Sequence, residues 1–315
     1  MLAPRCEVVA NPDPEPWPRA RLLEASAQAD ALIAFMPDAI DDRFLAACPR
    51  LALIAAALKG YDNFDVAACT RRGVRLTVVP DLLTAPTAEL AVGLTIALMR
   101  RLPEADAAVR GGGFAGWRPL LYGAGLDGST VGIIGMGAVG RAIAQRLAGF
   151  GCRLIHCDPR TLPATEAARL NTTAVPLDAL LADSDVVLLA APYGPATHHL
   201  IDRAALARLK PGAYLVNPAR GSLVDEAAIA AALAEGRLAG YAADTFELEE
   251  WARADRPAGI APGLLAARER TVLTPHLGSA VARVRSAIEH AAASNVLRWL
   301  DGAPLVGCVN PEAMS

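Results

Sequence analysis

The apolar positions of this chain fall into short runs that predict alternating strands and helices. In the first part, β-branched and apolar runs occupy 6–10, 31–36, 51–58 and 74–79, and a second series of such runs begins at 131. Ala- and Leu-rich amphipathic stretches separate them, which is the pattern of parallel βαβ units. We predict an α/β fold with two Rossmann-like, doubly wound parallel-sheet domains and a cleft between them.

The same pattern predicts the domain boundaries. A long helix is expected at 87–110, where Thr84 or Thr87 can cap its start and a run of glycines ends it. The last helical segment, 279–300, lies outside the strand series and is expected to return to the first domain. The predicted first domain is therefore discontinuous, 1–83 with 281–315, and the second domain is 84–280.

Composition narrows the class of protein. The 315 residues are 53% hydrophobic and 20% charged with a net charge of -3, which does not match a nucleic-acid-binding protein or a disordered chain. The apolar runs are shorter than a membrane span, and the N-terminus does not resemble a secretory signal. The six cysteines are scattered, without metal-ligand spacing. We predict a cytoplasmic protein with reduced thiols, no metal, and neither nucleic acid nor membrane as a partner.

A glycine motif predicts a dinucleotide site. The stretch VGIIGMGAVG, 131–140, places GxGxxG between an apolar strand and a helix, where backbone amides and the helix dipole favour a pyrophosphate. A second strand then ends at Asp158, whose carboxylate should bind the ribose hydroxyls and favour NAD over NADP, although Arg160 partly offsets that preference. The second domain is thus predicted to bind NAD. The residues assigned to this contact are Gly135, Gly137, Ala138, Val139, Gly140 and Asp158.

Three polar residues follow later strands of the second domain. Arg220 lies in VNPARGSLVDE, Glu249 in DTFELEEW and His276 in TVLTPHLGS. Ligands of doubly wound folds bind at the carboxyl ends of the strands, so these side chains are expected at the site. A guanidinium suits an oxyanion, and an imidazole titrates near neutral pH. Glu247 and Glu250 compete with Glu249 for its role.

These motifs resemble those of the D-isomer-specific 2-hydroxyacid dehydrogenases across nearly the whole chain. The resemblance implies that Arg220 binds an anionic substrate beside the nicotinamide, that His276 transfers a proton, and that Glu249 orients His276. It also implies a homodimer, formed through the helix at 87–110 and the following aromatic loop. The further residues assigned to the cofactor site are Thr87, Pro192, Ala219, Asp244 and His276. The histidines His156, His198, His199 and His290 are interpreted as surface or packing residues.

Several local stretches also resemble the phosphonate dehydrogenases within that family, among them ALKGYDNFDVAACTRRGV, 57–74, and WARADRP, 251–257. This second resemblance implies oxidation of phosphite to phosphate, with Lys59 as an additional cation for a highly charged anion. The residues assigned to substrate binding are Met36, Lys59, Gly60, Trp117, Tyr122, Arg220 and Arg285.

Two alternatives to phosphite oxidation stay open. One is a D-2-hydroxyacid dehydrogenase that acts on glyoxylate, hydroxypyruvate or a similar acid. The other is an NAD-sensing, corepressor-like binding protein, because related folds also serve in transcriptional repression.

Overall fold

The computed structural model describes residues 1–79 and 81–314 and divides the chain into two compact units. Unit 1 comprises Met1–Leu83, Glu250–Arg256 and Val281–Ser315, and unit 2 comprises Thr84–Glu249 and Pro257–Ala280. The sequence prediction placed 250–256 in the second domain. In the structure this segment belongs to unit 1, where the backbone N–H of Ala252 donates to Oδ1 of Asn63 at 3.1 Å. Pro80 and Ser315, which fall in the predicted first domain, lie outside the described residues.

The regular elements alternate along most of the chain. The strands are β1 (Ala31–Ala34), β2 (Leu53–Ala56), β3 (Arg75–Thr77), β4 (Thr130–Ile134), β5 (Arg153–Cys157), β6 (Thr172–Ala174), β7 (Val186–Leu189), β8 (Ala213–Asn217), β9 (Leu238–Ala243) and β10 (Thr271–Leu273). The helices are α1 (Arg19–Ser26), α2 (Asp42–Ala47), α3 (Val66–Arg71), α4 (Thr84–Met99), α5 (Leu102–Arg110), α6 (Ala138–Leu147), α7 (Ala164–Arg169), α8 (Leu177–Asp183), α9 (Arg203–Arg208), α10 (Glu226–Ala234), α11 (Pro262–Ala266) and α12 (Ala282–Leu300).

Unit 1 is built on a three-stranded parallel sheet whose order, β1-β2-β3, follows the chain. The central strand β2 is fully buried, and Val284 and Ile288 of α12 belong to the apolar cluster on one of its faces. The predicted strand at 6–10 is wrong. Val8 and Val9 in this run are 51% and 61% exposed, and an apolar run that is not buried gains too little from pairing to form a strand.

Unit 2 contains a seven-stranded parallel sheet of order β10-β9-β8-β7-β4-β5-β6. The chain builds outward from β4 to β6 on one side, and then returns to build from β7 to β10 on the other. This reversal beside β4 confirms the doubly wound α/β prediction for the second domain, and ligands bind at such a point, outside the carboxyl ends of the strands. The sheet of unit 1 follows the chain order without a reversal, so the doubly wound arrangement predicted for both domains holds for unit 2 alone. Strand β7 is wholly buried, as expected for a sheet covered on both faces. The sequence prediction missed β6, a three-residue edge strand.

The long helix predicted at 87–110 is two helices, α4 and α5. Arg101 between them has a φ of 53°, and a proline lies at the first turn of α5, so the helix cannot continue straight through. The helical stretch Asp81–Met99 is long and apolar enough to cross a membrane. Within it, Ala88, Ala91, Leu94, Leu98 and Met99 are buried in the core of unit 2, which is the pattern of a core helix.

Candidate active site

The glycine turn after β4 has the geometry that a dinucleotide requires. Gly135 has a φ of +96°, and a Cβ there would lie 2.6 Å from the backbone N of Ala191. A Cβ on Gly140 would lie 2.0 Å from the carbonyl oxygen of Gly135. Gly137, the N-cap of α6, has no atom within 4 Å of its Cβ position. Two of the glycines therefore close the turn, while the third leaves open space at a helix N-terminus.

Asp158 follows β5 directly and is bound to that turn. Its Oδ2 accepts from the backbone N–H of Met136 at 2.7 Å, and its Oδ1 accepts from the backbone N–H of Arg160 at 2.8 Å. Burial acts to raise the pKa of Asp158, but these donors and the Arg160 charge outweigh it, and the pKa lies below its usual value. The Arg160 side chain is 82% exposed. The carboxylate therefore stays charged beside the glycine turn.

Three more residues assigned to the cofactor lie in unit 2, Thr87 in the first turn of α4 and Pro192 and Ala219 in loops. The hydroxyl of Thr87 donates to the carbonyl oxygen of Gly278 at 3.3 Å, and the carbonyl oxygen of Pro192 accepts from the hydroxyl of Thr197 at 2.8 Å. The backbone N–H of Ala219 donates to Oδ1 of Asn217 at 3.1 Å. The contacts of Pro192 and Ala219 fix the loops that follow β7 and β8, at the same edge of the sheet as the glycine turn.

The structure brings His276 and Glu249 together. Nδ1 of His276 lies 2.5 Å from Oε2 of Glu249, and Oε1 of Glu249 accepts from the backbone N–H of Phe246 at 2.8 Å. The two side chains are 28% and 23% exposed. Because a carboxylate only accepts hydrogen bonds, Nδ1 is the donor, and the second ring nitrogen, Nε2, is the one that can exchange a proton. Glu249 is thus the acid that pairs with His276, whereas its competitor Glu247 contacts His199.

Asp244 holds the loop on which His276 lies. The fully buried carboxylate accepts from the hydroxyl of Thr274 at 2.6 Å and from the backbone N–H groups of Leu277 and Gly278 at 2.7 and 2.8 Å. Burial raises the pKa of Asp244 above its usual value. His276 itself has a φ of 56°, so its backbone is held in the left-handed region, which residues other than glycine rarely adopt. The carboxylate thus stabilises an unfavourable loop conformation.

Arg220 begins the tight turn Gly221–Leu223 after β8. Its carbonyl oxygen accepts from the side-chain amide of Asn217 at 2.7 Å, and its guanidinium donates to the carbonyl oxygen of Ala219 at 2.8 Å. A Cβ on Gly221 would lie 1.9 Å from the carbonyl carbon of Phe246, so this turn packs directly against the backbone that leads to Glu249. Strands β8, β9 and β10 are neighbours, which places Arg220, Glu249 and His276 at one edge of one sheet.

The four residues of unit 1 assigned to substrate binding differ in their contacts and in their burial. Nζ of Lys59 lies 3.1 Å from Oδ1 of Asp81, and Gly60 is half-buried next to it. Met36 packs against the apolar cluster of unit 1, and its carbonyl oxygen accepts from the amide of Asn63 at 3.2 Å. Arg285 is half-buried in the first turn of α12.

The two aromatic residues assigned to the site, Trp117 and Tyr122, lie in the loop between α5 and β4. They are 86% and 76% exposed, so the packing of unit 2 does not bury them. Among the described residues, no group of three or more His, Cys, Asp and Glu side chains is placed to hold a metal ion.

Sequence reasoning missed the contacts of His199, which it interpreted as a surface or packing residue. Nε2 of His199 lies 3.0 Å from Oε2 of Glu247, two residues from Glu249 in the same turn. Its ring stacks on that of His198 with centroids 3.9 Å apart. The signal available in the sequence was a histidine pair in the loop after β7, an edge where ligands bind, although its acidic partner is 48 positions away.

The residues present fit a bound dinucleotide, because Gly137 leaves space at a helix N-terminus and Asp158 remains charged one strand away. With a histidine–carboxylate pair and an arginine at the same sheet edge, the fold and the site define an NAD-dependent dehydrogenase. Comparison with known proteins agrees. Residues 92–278 match the family model described as D-isomer specific 2-hydroxyacid dehydrogenase, NAD binding domain. The chain belongs to this family, and its cofactor is NAD.

Full-length relatives support the assignment. A glyoxylate reductase of Thermococcus litoralis is 36% identical over 320 residues, covering 100% of this chain and 94% of that protein. A glyoxylate reductase of Thermococcus gammatolerans is 38% identical and covers 100% and 92%. The crystal structure of a protein from Thermus thermophilus has a TM-score of 0.82 at 36% identity, covering 93% of this chain and 90% of that one.

These relatives contradict the prediction of phosphite oxidation. They are similar over the whole chain and are named glyoxylate reductases, so the resemblance to phosphonate dehydrogenases in short stretches such as 57–74 was a wrong guide to the substrate. The prediction depended on Lys59 as an additional cation for the substrate. In the structure Lys59 forms an ion pair with Asp81 within unit 1. A lysine with a local carboxylate partner does not by itself indicate a highly charged substrate.

Proposed function

We propose that this protein reduces small 2-keto acids to D-2-hydroxy acids with NADH, and that glyoxylate and hydroxypyruvate are its first candidate substrates. The observation that carries the proposal is the pair formed by His276 and Glu249, 2.5 Å apart at the edge of an NAD-binding sheet. Full-length similarity to glyoxylate reductases favours this substrate class over others in the family.

His276 acts as the acid in this reaction. With Nδ1 bound to Glu249, the protonated ring presents Nε2–H, which donates a proton to the keto oxygen as the carbon is reduced. Loss of that proton leaves a neutral ring whose remaining proton stays on Nδ1. In the reverse direction, Nε2 accepts the hydroxyl proton. Glu249 stabilises the charged ring and prevents the rotation that would exchange the two nitrogens.

Arg220 binds the substrate's anionic end and polarises its keto group. A guanidinium stays charged at all relevant pH values and can donate two parallel hydrogen bonds. The loop contacts of Asn217 fix the backbone from which Arg220 projects. The cofactor, when bound, supplies or accepts the hydride. Asp158 would hold its ribose, and the glycine turn with Ala138 and Val139 its pyrophosphate.

The remaining site assignments are part of the same proposal. Thr87, Pro192, Ala219 and Asp244 support the cofactor, and Met36, Lys59, Gly60 and Arg285 contribute to substrate binding. We also propose that the protein is a cytoplasmic homodimer. The segment 102–122 exposes Leu102, Val109, Phe114, Trp117 and Tyr122, and such a run of large apolar side chains suits burial against a second copy.

The test is NADH oxidation by the purified protein with glyoxylate, hydroxypyruvate and pyruvate, and NAD reduction with glycolate, D-glycerate, D-lactate and phosphite. We expect turnover of keto acids, with the D isomer as the product of hydroxypyruvate. Turnover of phosphite without turnover of any keto or hydroxy acid would refute the proposal. NADH binding with no turnover of any substrate would instead indicate a binding protein.

A matched pair of variants tests the acid. His276→Gln should lower kcat by about 10²–10⁴-fold, because glutamine cannot transfer a proton, while NADH binding is retained. His290→Gln is the control, since His290 is an exposed residue of α12 whose Nδ1 contacts the carbonyl oxygen of Ser286 at 2.7 Å. Equal activity of the two variants would eliminate His276 as the proton donor.

A further inference from the structure

Glu249 lies in a short turn, Glu247–Glu249. The side chain of Glu247 ties this turn to neighbouring parts of unit 2. Only 11% of the Glu247 side chain is exposed, and both of its carboxylate oxygens are engaged. Oε1 accepts from the backbone N–H of Glu226 at 3.1 Å, and Oε2 contacts Nε2 of His199 at 3.0 Å. The position of Glu249 therefore depends on contacts that lie outside the His276 pair.

Glu226, at the start of α10, forms the reciprocal hydrogen bond, from its own side chain to the backbone of Glu247. Its Oε1 accepts from the backbone N–H of Glu247 at 2.8 Å, and its Oε2 accepts from the backbone N–H of Ala261 at 3.0 Å. Glu226 is 4% exposed, and burial raises its pKa, as does the nearby charge of Glu247. Two buried carboxylates this close need several donors, so the backbone around them is held in one arrangement.

His199 joins this turn to the turn that begins at Arg220. Its ring nitrogen Nε2 contacts Glu247, and its backbone N–H donates to the carbonyl oxygen of Ser222 at 2.8 Å. Its own φ is 47°, an unfavourable value for a histidine. A residue strained in this way, in contact with both turns, is placed to fix the distance between them.

We propose that His199 and Glu226 are positioning residues that act through Glu247 to hold Glu249 against His276, while His199 also holds the Arg220 turn. The kinetic part of this inference rests on the proposed keto-acid reduction, and the structural part does not. The expected consequence is that removing the His199 donor disturbs the His276–Glu249 pair from a distance, through the turn.

The first measurement needs no substrate. In the proton NMR spectrum, Nδ1–H of His276 should give a downfield signal because of its short hydrogen bond to Glu249, assigned by its absence in His276→Gln. His199→Phe keeps a planar ring on His198 but loses the donor, and should shift or abolish this signal. His199→Gln keeps an N–H donor and should restore it. Asp202→Ala is the control, because it removes the N-cap of α9, where Oδ1 accepts from the backbone N–H of Ala205 at 2.8 Å, and lies outside both turns.

The second measurement is kinetic. His199→Phe should lower kcat about tenfold or more with little change in the KM for NADH, and should raise the solvent deuterium isotope effect on kcat, since proton donation becomes slower. His199→Gln should recover most of kcat. Asp202→Ala should lower Tm and leave both kinetic values unchanged.

The outcomes separate this inference from the proposed function. An unchanged NMR signal in His199→Phe, or an equal loss of kcat in Asp202→Ala, would overturn the positioning role. If the wild-type protein reduces no keto acid, the proposed function fails, and the NMR comparison still decides the positioning. If His199→Phe does not fold, Glu247→Gln, which has nearly the same shape, should shift the same signal, and an unchanged signal there would overturn the inference.

Discussion

The glycine of the Arg220 turn offers the sharpest test of how the site is assembled. In Gly221→Ala, the new Cβ would lie 1.9 Å from the carbonyl carbon of Phe246 and 2.2 Å from the backbone N of Glu247. These obstacles are backbone atoms, so a side-chain rotation cannot relieve the clash. The turn that begins at Arg220 and the backbone leading to Glu249 must separate.

The size of the effect follows from this geometry. An ordinary contact begins at about 3.4 Å, so the two backbones must move apart by about 1.5 Å. Overpacking of a buried site costs about 1–3 kcal/mol, which corresponds to a fall in Tm of roughly 2–12 °C for a domain of this size. A misplacement of about 1 Å in catalytic groups costs about 10²-fold in rate. We expect kcat to fall by about two orders of magnitude.

The assay is NADH oxidation with the best keto-acid substrate, together with thermal unfolding followed by circular dichroism. Gly149→Ala is the control, because Gly149 has no atom within 4 Å of its Cβ position and should tolerate the substitution in both measurements. If Gly221→Ala kept the wild-type kcat and Tm, close packing between the two turns would not be what aligns Arg220 with Glu249.

Three more predictions concern the cofactor site and a buried thiol. Asp158→Ala should weaken NADH binding by about 1.5–3 kcal/mol, measured by titration, and shift preference toward NADPH, whereas an unchanged preference would mean that Asp158 does not contact the ribose. Because the pKa of Asp158 lies below the ordinary 3.8, its contribution to stability is complete above that value and is lost as the pH falls through the lowered native pKa. Urea unfolding of the wild type and Asp158→Ala should therefore converge in acid, and a constant difference would contradict this. Burial raises the pKa of Cys69 to about 11, so this thiol should resist alkylation at mildly alkaline pH until the protein unfolds, and rapid labelling of native protein would refute its burial.

The sequence predicted the larger sheet well, because its strands are buried on both faces and read as continuous apolar runs. The glycine spacing predicted the turn after β4 for a similar reason, since Gly135 and Gly140 occupy positions that no larger residue fits. The strand prediction failed where burial decides whether a segment forms a strand. The run at 6–10 has a strand-like composition and stays exposed, and β6 is too short to leave a pattern.

The prediction of phosphite as the substrate also failed, because the partner of a charged side chain is not visible in the sequence. The resemblance makes Lys59 a sign of a highly charged anion, and the sequence does not indicate that Asp81, 22 positions later, pairs with it. Conversely, the sequence predicts a surface or packing role for His199, because its partner, Glu247, is distant in sequence. The partner of a charged side chain is known only once the fold assigns its neighbours.

The sequence by itself determined the α/β fold class, NAD as the cofactor and the presence of three polar residues at one edge of a sheet, because periodicity and glycine spacing act locally. The tertiary structure decided which acid pairs with His276. Glu247, Glu249 and Glu250 lie within four positions of one another. The short turn that contains the first two directs the Glu249 side chain to the imidazole of His276 and the Glu247 side chain to His199. Side-chain direction within such a turn is set by long-range hydrogen bonds, such as those from Glu226, and these are absent from any local pattern.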